Sequence, residues 1–292
     1  MDFIKRYTTD EGIRLAIAVT TDTVEEARLR HDLWPVATAA FGRTMMGGLL
    51  LTSDFKNQEN VSIRINGRGP LGAIHVDAFS DNTVRGYVDN PHVDVPLKRA
   101  GKLDVGAAVG IDGTVQVTRF TKLRQNYTSQ SPLQSGEIAE DLAYYLYTSE
   151  QVPSTISLGV LVDPDYHTIV AGGFLLSALP DCSDDVLAEI EHNVNQLGPI
   201  TAYLKDNPNG EGLKERLLGT LNSHEVFSHD VHFQCTCSRD RFLNALLSLR
   251  QEDKDEILQD KVTELVCHYC NEKYHYSQEE LKALFEKPTH IQ

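Results

Sequence analysis

The chain lacks any apolar run approaching the roughly 18 to 20 residues that span a bilayer. Its one short apolar stretch near the start, IRLAIAV at 13–19, is interrupted by Arg14 and preceded by DEG. Neither a membrane span nor a signal-peptide core is expected, which places the protein in the cytoplasm. Basic residues are in short supply: 27 Lys and Arg stand against 42 Asp and Glu, a net charge of −15 with pI near 5.1. Such a surface repels phosphate backbones, so nucleic acid is disfavoured as a partner. No G-x-x-x-x-G-K-S or G-x-G-x-x-G run is present, and no ATP cycle is indicated. Internal repeats and low-complexity tracts are absent too. What remains is a globular composition, 41% apolar and 24% charged, with enough apolar material for a sizeable core. At 292 residues, two domains or one large domain with an appendage are expected.

Cysteine is scarce, yet four of the five residues crowd into two short stretches, FQCTCS and VCHYCNEKYHY, as Cys235, Cys237, Cys267 and Cys270. In a reducing compartment such pairs read first as metal ligands or redox thiols. Four thiolates suit tetrahedral Zn²⁺ with no position left for a substrate. In a straight strand Cys235 and Cys237 would have Cα atoms about 6.6 Å apart, so the chain is expected to turn there. Structural zinc is worth roughly 10 to 16 kcal/mol in finger peptides, comparable with a whole domain's stability of about 5 to 15 kcal/mol. A module of some sixty residues is therefore expected to unfold without its ion. An inert structural site and an oxidant-sensitive one both stay open. Thiol-exchange catalysis fits less well, because this CxxC follows a strand instead of opening a βαβ unit. His232, His268 and His275 lie close in sequence but read as surface residues, and Cys182 reads as a lone free thiol.

Along the chain, period-two stretches at Ile13–Val19, Val61–Ile65, Ile74–Ala78 and Val115–Val117 read as half-buried strands. NGRGPLG, and Asp112-Gly113 between GAAVGI and TVQVTRF, supply turns for antiparallel hairpins. Thr23 with Glu26 marks a capping-box start for one helix; a second begins at Pro35 and carries many small residues that suit close packing; a third, EIAEDLAYYLYTSEQ, puts Ile138, Leu142 and Tyr145 on one stripe. STISLGVLVD and HTIVAGGFLLSAL read as two central strands. From LPDCSDD onward, Leu187, Ile190, Val194, Leu197 and Leu204 fall at helical spacing, with a kink expected at Gly198-Pro199. The reading is α+β: a sheet-and-helix core domain over 1–178, a helical linker over 179–230 whose apolar stripe must rest on the core, and a small C-terminal zinc-binding α+β module over 231–292. The last helix opens with Ser277 and Glu280 in capping-box register.

Several segments carry a resemblance over nearly the whole length: RGYVDNP, GKLDVG, SGEIAEDLAYY, SEQVPSTISLGVLVD, AGGFL, CTCS and CHYCNEKYHY. The pattern of CxC, a 29-residue gap (238–266) and CxxC resembles that of the 33 kDa chaperonins, the heat shock protein 33 family of redox-regulated holdase chaperones. The stretch RFTKLRQNY departs from the acidic-Leu-Gly run usual in that family. The resemblance implies one Zn²⁺ per chain in a reduced, inactive state, held by Cys235, Cys237, Cys267 and Cys270. It further implies that oxidation forms the Cys235–Cys237 and Cys267–Cys270 disulfides, a pairing the neighbouring spacing permits. Zinc then leaves, and the module and linker lose their fold. The apolar surface so exposed binds unfolding client proteins without ATP, in a form similar to a homodimer, as part of an oxidative stress response.

Two other functions are weighed against this. An α+β enzyme with an accessory structural zinc module would need an active site, but His31, His75, His92 and His167 are scattered and no triad or carboxylate pair is recognisable, so the protein is not expected to be an enzyme. A zinc-ribbon RNA binder is disfavoured by the acidic run QEDKDEILQDKVTEL.

Overall fold

A computed structural model of the chain describes residues 1–54, 59–99, 101–121, 126–180 and 182–286. Its contacts divide it into two units, Met1–Gln234 and Cys235–Gln292. Unit 1 opens with the hairpin β1 (Phe3–Thr9) and β2 (Ile13–Val19), then α1 (Thr21–His31) and α2 (Pro35–Asp54). Strands β3 (Asn60–Asn66), β4 (Ile74–Ala78) and β5 (Thr83–Val88) follow, then α3 (Val105–Val109), β6 (Thr114–Phe120) and β7 (Tyr127–Pro132). After α4 (Ala139–Tyr145), continued by a π-helical turn over Leu146–Glu150, come β8 (Ser154–Val162) and β9 (Thr168–Ala178). Helices α5 (Asp184–Leu197), α6 (Ile200–Asp206) and α7 (Leu213–Leu218) lead to β10 (Ser223–Asp230) and β11 (His232–Phe233).

Among the described residues, the strands of unit 1 form two sheets, consistent with the α+β expectation. One is antiparallel in the order β10-β1-β2-β9-β8; the other runs β11-β5-β4-β3-β6-β7, antiparallel except where β11 joins β5. Between them lies α2, touching β2, β8 and β9 on one side and β3, β4 and β5 on the other. Its small residues make this possible. Ala37, Ala39 and Ala40 are fully buried, and a Cβ at Gly47 would stand 2.4 Å from Leu142 Cδ1.

The first sheet is covered on its other face as well. Tyr7, Ile13, Leu15, Ile17, Phe174 and Leu176 form a second apolar cluster with side chains of α5, α6 and α7. Because β9 is buried on both faces it reads as a nearly continuous apolar run.

Two of the sequence segments noted above are capping devices. Asp104 accepts from Ala107 N at 3.0 Å and opens α3. The fully buried Asp141 accepts from the amides of Gln134, Ser135 and Gly136 through Oδ1 and of Ile138 through Oδ2, folding the loop before α4.

Several local expectations are corrected. GAAVGI is mostly the helix α3, so Asp112-Gly113 joins helix to strand and closes no hairpin. Helix α1 starts at Thr21, not through a Thr23/Glu26 box: the Asp2 carboxylate caps it, accepting from Asp22 N and Thr23 N at 3.1 and 2.5 Å, while Glu26 pairs with Arg30. Strand β8 is an edge, not a central strand. Gly198, at φ 68, ends α5 outright where a kink was expected. The tail of the linker segment, 223–230, is strand β10 paired with β1. Leu187 is 38% exposed, and the half-buried Val186 takes its place in the stripe. Residues 122–125 of RFTKLRQNY lie outside the described residues.

Glu25 clips α1 to the turn before β9. Burial pushes its carboxyl up, but donors from Arg28, the Thr168 amide and His167 outweigh that and hold it at about 2. Because the folded value lies below the ordinary one, the contribution is complete above about pH 4.5 and vanishes as pH falls through about 2. Glu25→Gln is expected to cost about 1–3 kcal/mol at pH 7 in urea unfolding, with the gap to the native chain closing between pH 4.5 and 2. A gap independent of pH would contradict this.

Candidate metal centre

Unit 2 is built from α8 (Arg239–Leu247), α9 (Gln251–Ile257), the hairpin β12 (Val262–Val266) and β13 (Lys273–Ser277), and α10 (Gln278–Phe285). Ser238 caps α8 by accepting from Arg241 N at 3.2 Å, and the Ser277/Glu280 capping box opens α10 as the sequence predicts. Both caps leave the helix starts where the cysteine segments need them.

The two cysteine pairs are set by local chemistry. Cys267 follows β12 directly, and the chain then folds into a tight knuckle in which Cys267 N donates to Glu272 O at 2.9 Å and Asn271 N to Cys267 O at 2.7 Å. Asn271 takes φ 58, a left-handed conformation that asparagine tolerates better than most residues. On the other arm, residues 234–238 have no regular structure. Arg241 Nη1 donates to Thr236 O at 2.7 Å and to its hydroxyl at 2.8 Å. The chain therefore leaves the straight strand that would have kept Cys235 and Cys237 from converging.

All four sulfurs converge. Every Sγ lies within 4.8 Å of the others, with Cys235 to Cys267 at 3.8 Å and Cys237 to Cys270 at 3.3 Å. Sulfurs placed tetrahedrally at about 2.3 Å from a centre are about 3.8 Å apart, so the donor set fits a thiolate-bound cation. Cys267 and Cys270 are buried; Cys235 and Cys237 are half-buried. Burial pushes the Cys267 and Cys270 thiols up, against the pull of the Tyr269 and Glu272 amides respectively. A bound cation is what would let such a set ionise together.

The histidines near the cysteines in sequence do not join the group. His268 and His275 are exposed, His275 facing Glu264 at 3.6 Å, while His232 belongs to β11 of unit 1. Cys182 sits in unit 1, half-buried against the second apolar cluster, its thiol pushed up by burial and by the charges of Asp184 and Glu11. His31 packs edge-on to Phe41, His75 stacks on Tyr87, and His92 and His167 face Asp32 and Glu25. Sequence reasoning missed two residues: Arg241, and Tyr274, whose hydroxyl lies 3.2 Å from Cys237 Sγ. The alternation in KYHYS was the available signal, since it puts Tyr274 and Tyr276 on one face of β13.

Cobalt(II) titration of the reduced chain should show one tightly bound ion with thiolate charge-transfer bands, and Cys267→Ser should weaken binding by on the order of 100-fold in a chelator competition. Equal retention by the variant would contradict the four-sulfur site.

The family model described as Hsp33 protein matches residues 2–277. The chain is 43% identical to the 33 kDa chaperonin of Bacillus velezensis over 291 residues, covering 99% of this chain and 100% of that one. It is 42% identical to the 33 kDa chaperonin of Desulforamulus reducens, covering 98% of each. A crystal structure of the 33 kDa chaperonin from Thermotoga maritima superposes with a TM-score of 0.91 at 37% identity, covering 98% of both chains. With whole-length matches in sequence and in fold, and with the four-cysteine cluster in place, the chain belongs to the Hsp33 family.

Proposed function

We propose that this protein is a redox-regulated, ATP-independent holdase chaperone of the cytoplasm, with no catalytic turnover. In this reading Cys235, Cys237, Cys267 and Cys270 hold one Zn²⁺ per chain when reduced. The carrying observation is the convergence of those four sulfurs in a unit with little apolar interior of its own. Bound there, zinc supplies a redox-inert cross-link between the two cysteine segments.

The sulfurs themselves carry the switch. Each neighbouring pair of thiolates loses two electrons to one peroxide, which takes two protons from solvent and leaves as two waters, giving the disulfides Cys235–Cys237 and Cys267–Cys270. Sulfurs bonded in this way no longer offer thiolates, and the arms holding residues 235–237 to 267–270 come apart. Unit 2 then loses its fold.

The functional division follows a core over 1–178, a linker over 179–230 and a switch module over 231–292. The chain runs from β10 through the short β11 and Gln234 into Cys235, so unfolding of unit 2 removes the ordered segment that follows those two strands. Helix α5 holds by little: Ile190 is its one buried residue among those described, worth about 1.5–3 kcal/mol. Once the linker layer lifts, Ile13, Leu15, Ile17, Phe174 and Leu176 become an apolar face for unfolding client proteins. A homodimer of the oxidised form would double that face.

Peroxide with mild heat should release about one zinc per chain and turn on suppression of client aggregation. Cys267→Ser should show partial activity without oxidant. Equal protection by the reduced, zinc-loaded protein would defeat the switch.

A further inference from the structure

We infer that Tyr274 is a positioning residue for Cys237, its hydroxyl donating a hydrogen bond to the sulfur and thereby slowing that sulfur's oxidation and strengthening metal retention. The inference rests on the metal-binding reading above and adds a control element to it.

Three observations place the hydroxyl. Tyr274 lies on β13 opposite Leu265, only four residues beyond Cys270, so the hairpin that carries the CxxC knuckle also carries the tyrosine. Its ring is held against Phe242 of α8, with centroids 5.1 Å apart at 43°. From that seat the hydroxyl oxygen stands 3.2 Å from Cys237 Sγ. The strand thus links a sulfur of the CxC arm to the CxxC arm through a group that is not itself a ligand.

The direction of the bond follows from the sulfur's state. A metal-bound thiolate has no proton to give, so the phenol must donate. Donation draws electron density from the sulfur lone pair. The oxidising step is attack of the Cys237 thiolate on a peroxide oxygen: an S–O bond forms, the O–O bond breaks, and hydroxide leaves and is neutralised by a proton of the buffered solvent. A second thiolate then displaces hydroxide from the sulfenic sulfur to form the disulfide. A lone pair already engaged by Tyr274 attacks more slowly. Hydrogen bonds to ligand atoms are also what commonly tune metal affinity, by on the order of 10- to 100-fold.

Tyr276 supplies the control. It sits two residues on, on the same strand face and fully buried, but its hydroxyl donates to a backbone carbonyl, Arg239 O, at 3.0 Å. A purely structural loss of one hydroxyl would affect both tyrosines alike.

The test uses the full chain loaded with cobalt(II) and, in parallel, with zinc. Tyr274→Phe should shift the thiolate-to-cobalt charge-transfer band to lower energy, speed peroxide-driven zinc loss several-fold, and weaken zinc binding by on the order of tenfold. Tyr276→Phe should leave band energy and release rate at native values. Native band and rates in Tyr274→Phe, or the same shift in both variants, would overturn the inference while leaving the metal site standing. A native chain that takes up no cobalt would instead overturn the metal-binding reading, and this proposal with it.

Discussion

The order of the C-terminal unit depends on one constraint: two chain segments separated by residues 238–266 must be held sulfur to sulfur. Its apolar cluster, among the described residues, has three buried members, Leu246, Tyr276 and Leu281, with Phe242, Leu243, Ile257, Leu265 and others only half covered. A unit of this size buries too small a share of its surface to be stable on such contacts alone. The helix caps at Ser238 and Ser277 fix where elements begin but tie nothing across the unit. Between the two arms run the Tyr276 hydroxyl bond to Arg239 O, the Arg239–Glu280 ion pair, the Phe242–Tyr274 ring contact and the convergence of the four sulfurs within 4.8 Å, the last of which a bound cation would turn into a cross-link. On the proposed metal-binding reading, whatever alters the chemistry of those sulfurs acts on the fold of the whole unit, in the manner of metal-linked folding.

Unit 1 has the opposite economy. Its central helix α2 is sealed between two sheets, and the Asp141 carboxylate takes up four amides of the loop before α4. The layer on the outside of the first sheet is graded. Ile200, Leu204, Leu213, Leu217 and Leu218 of α6 and α7 are buried, whereas α5 contributes Ile190 and otherwise half-buried side chains. Local opening is drawn from the elements with fewest buried contacts, so α5 is the part of the layer with the lowest cost of release. In the proposed function, that gradient lets the covered apolar face open without endangering the core beneath it.

Much of this was legible in the residues because the signals were local. Metal-ligand spacing, the capping box at Ser277 and Glu280, and the small residues of α2 are read within a few positions of one another. What was missed depends on distant partners. The strand β10, SHEVFSHD, has no alternation because it is an edge strand joined to β1 through backbone bonds with little burial. The cap of α1 comes from Asp2, on the far side of the β1–β2 hairpin. Helical spacing puts Leu187 in the stripe, whereas the orientation of α5 half-buries Val186 and leaves Leu187 exposed. The role of Tyr274 required knowing which face of β13 meets the sulfurs, and spacing alone does not give that.

The central claim is that unit 2 is ordered only while its four thiolates are cross-linked. Amide hydrogen exchange on the reduced full-length chain, with and without a strong zinc chelator, tests it directly. The account predicts that chelation strips protection from β12, β13 and α8 while the amides of α2 and β9 keep theirs. Full protection of β12 and β13 in metal-free, reduced protein would contradict it.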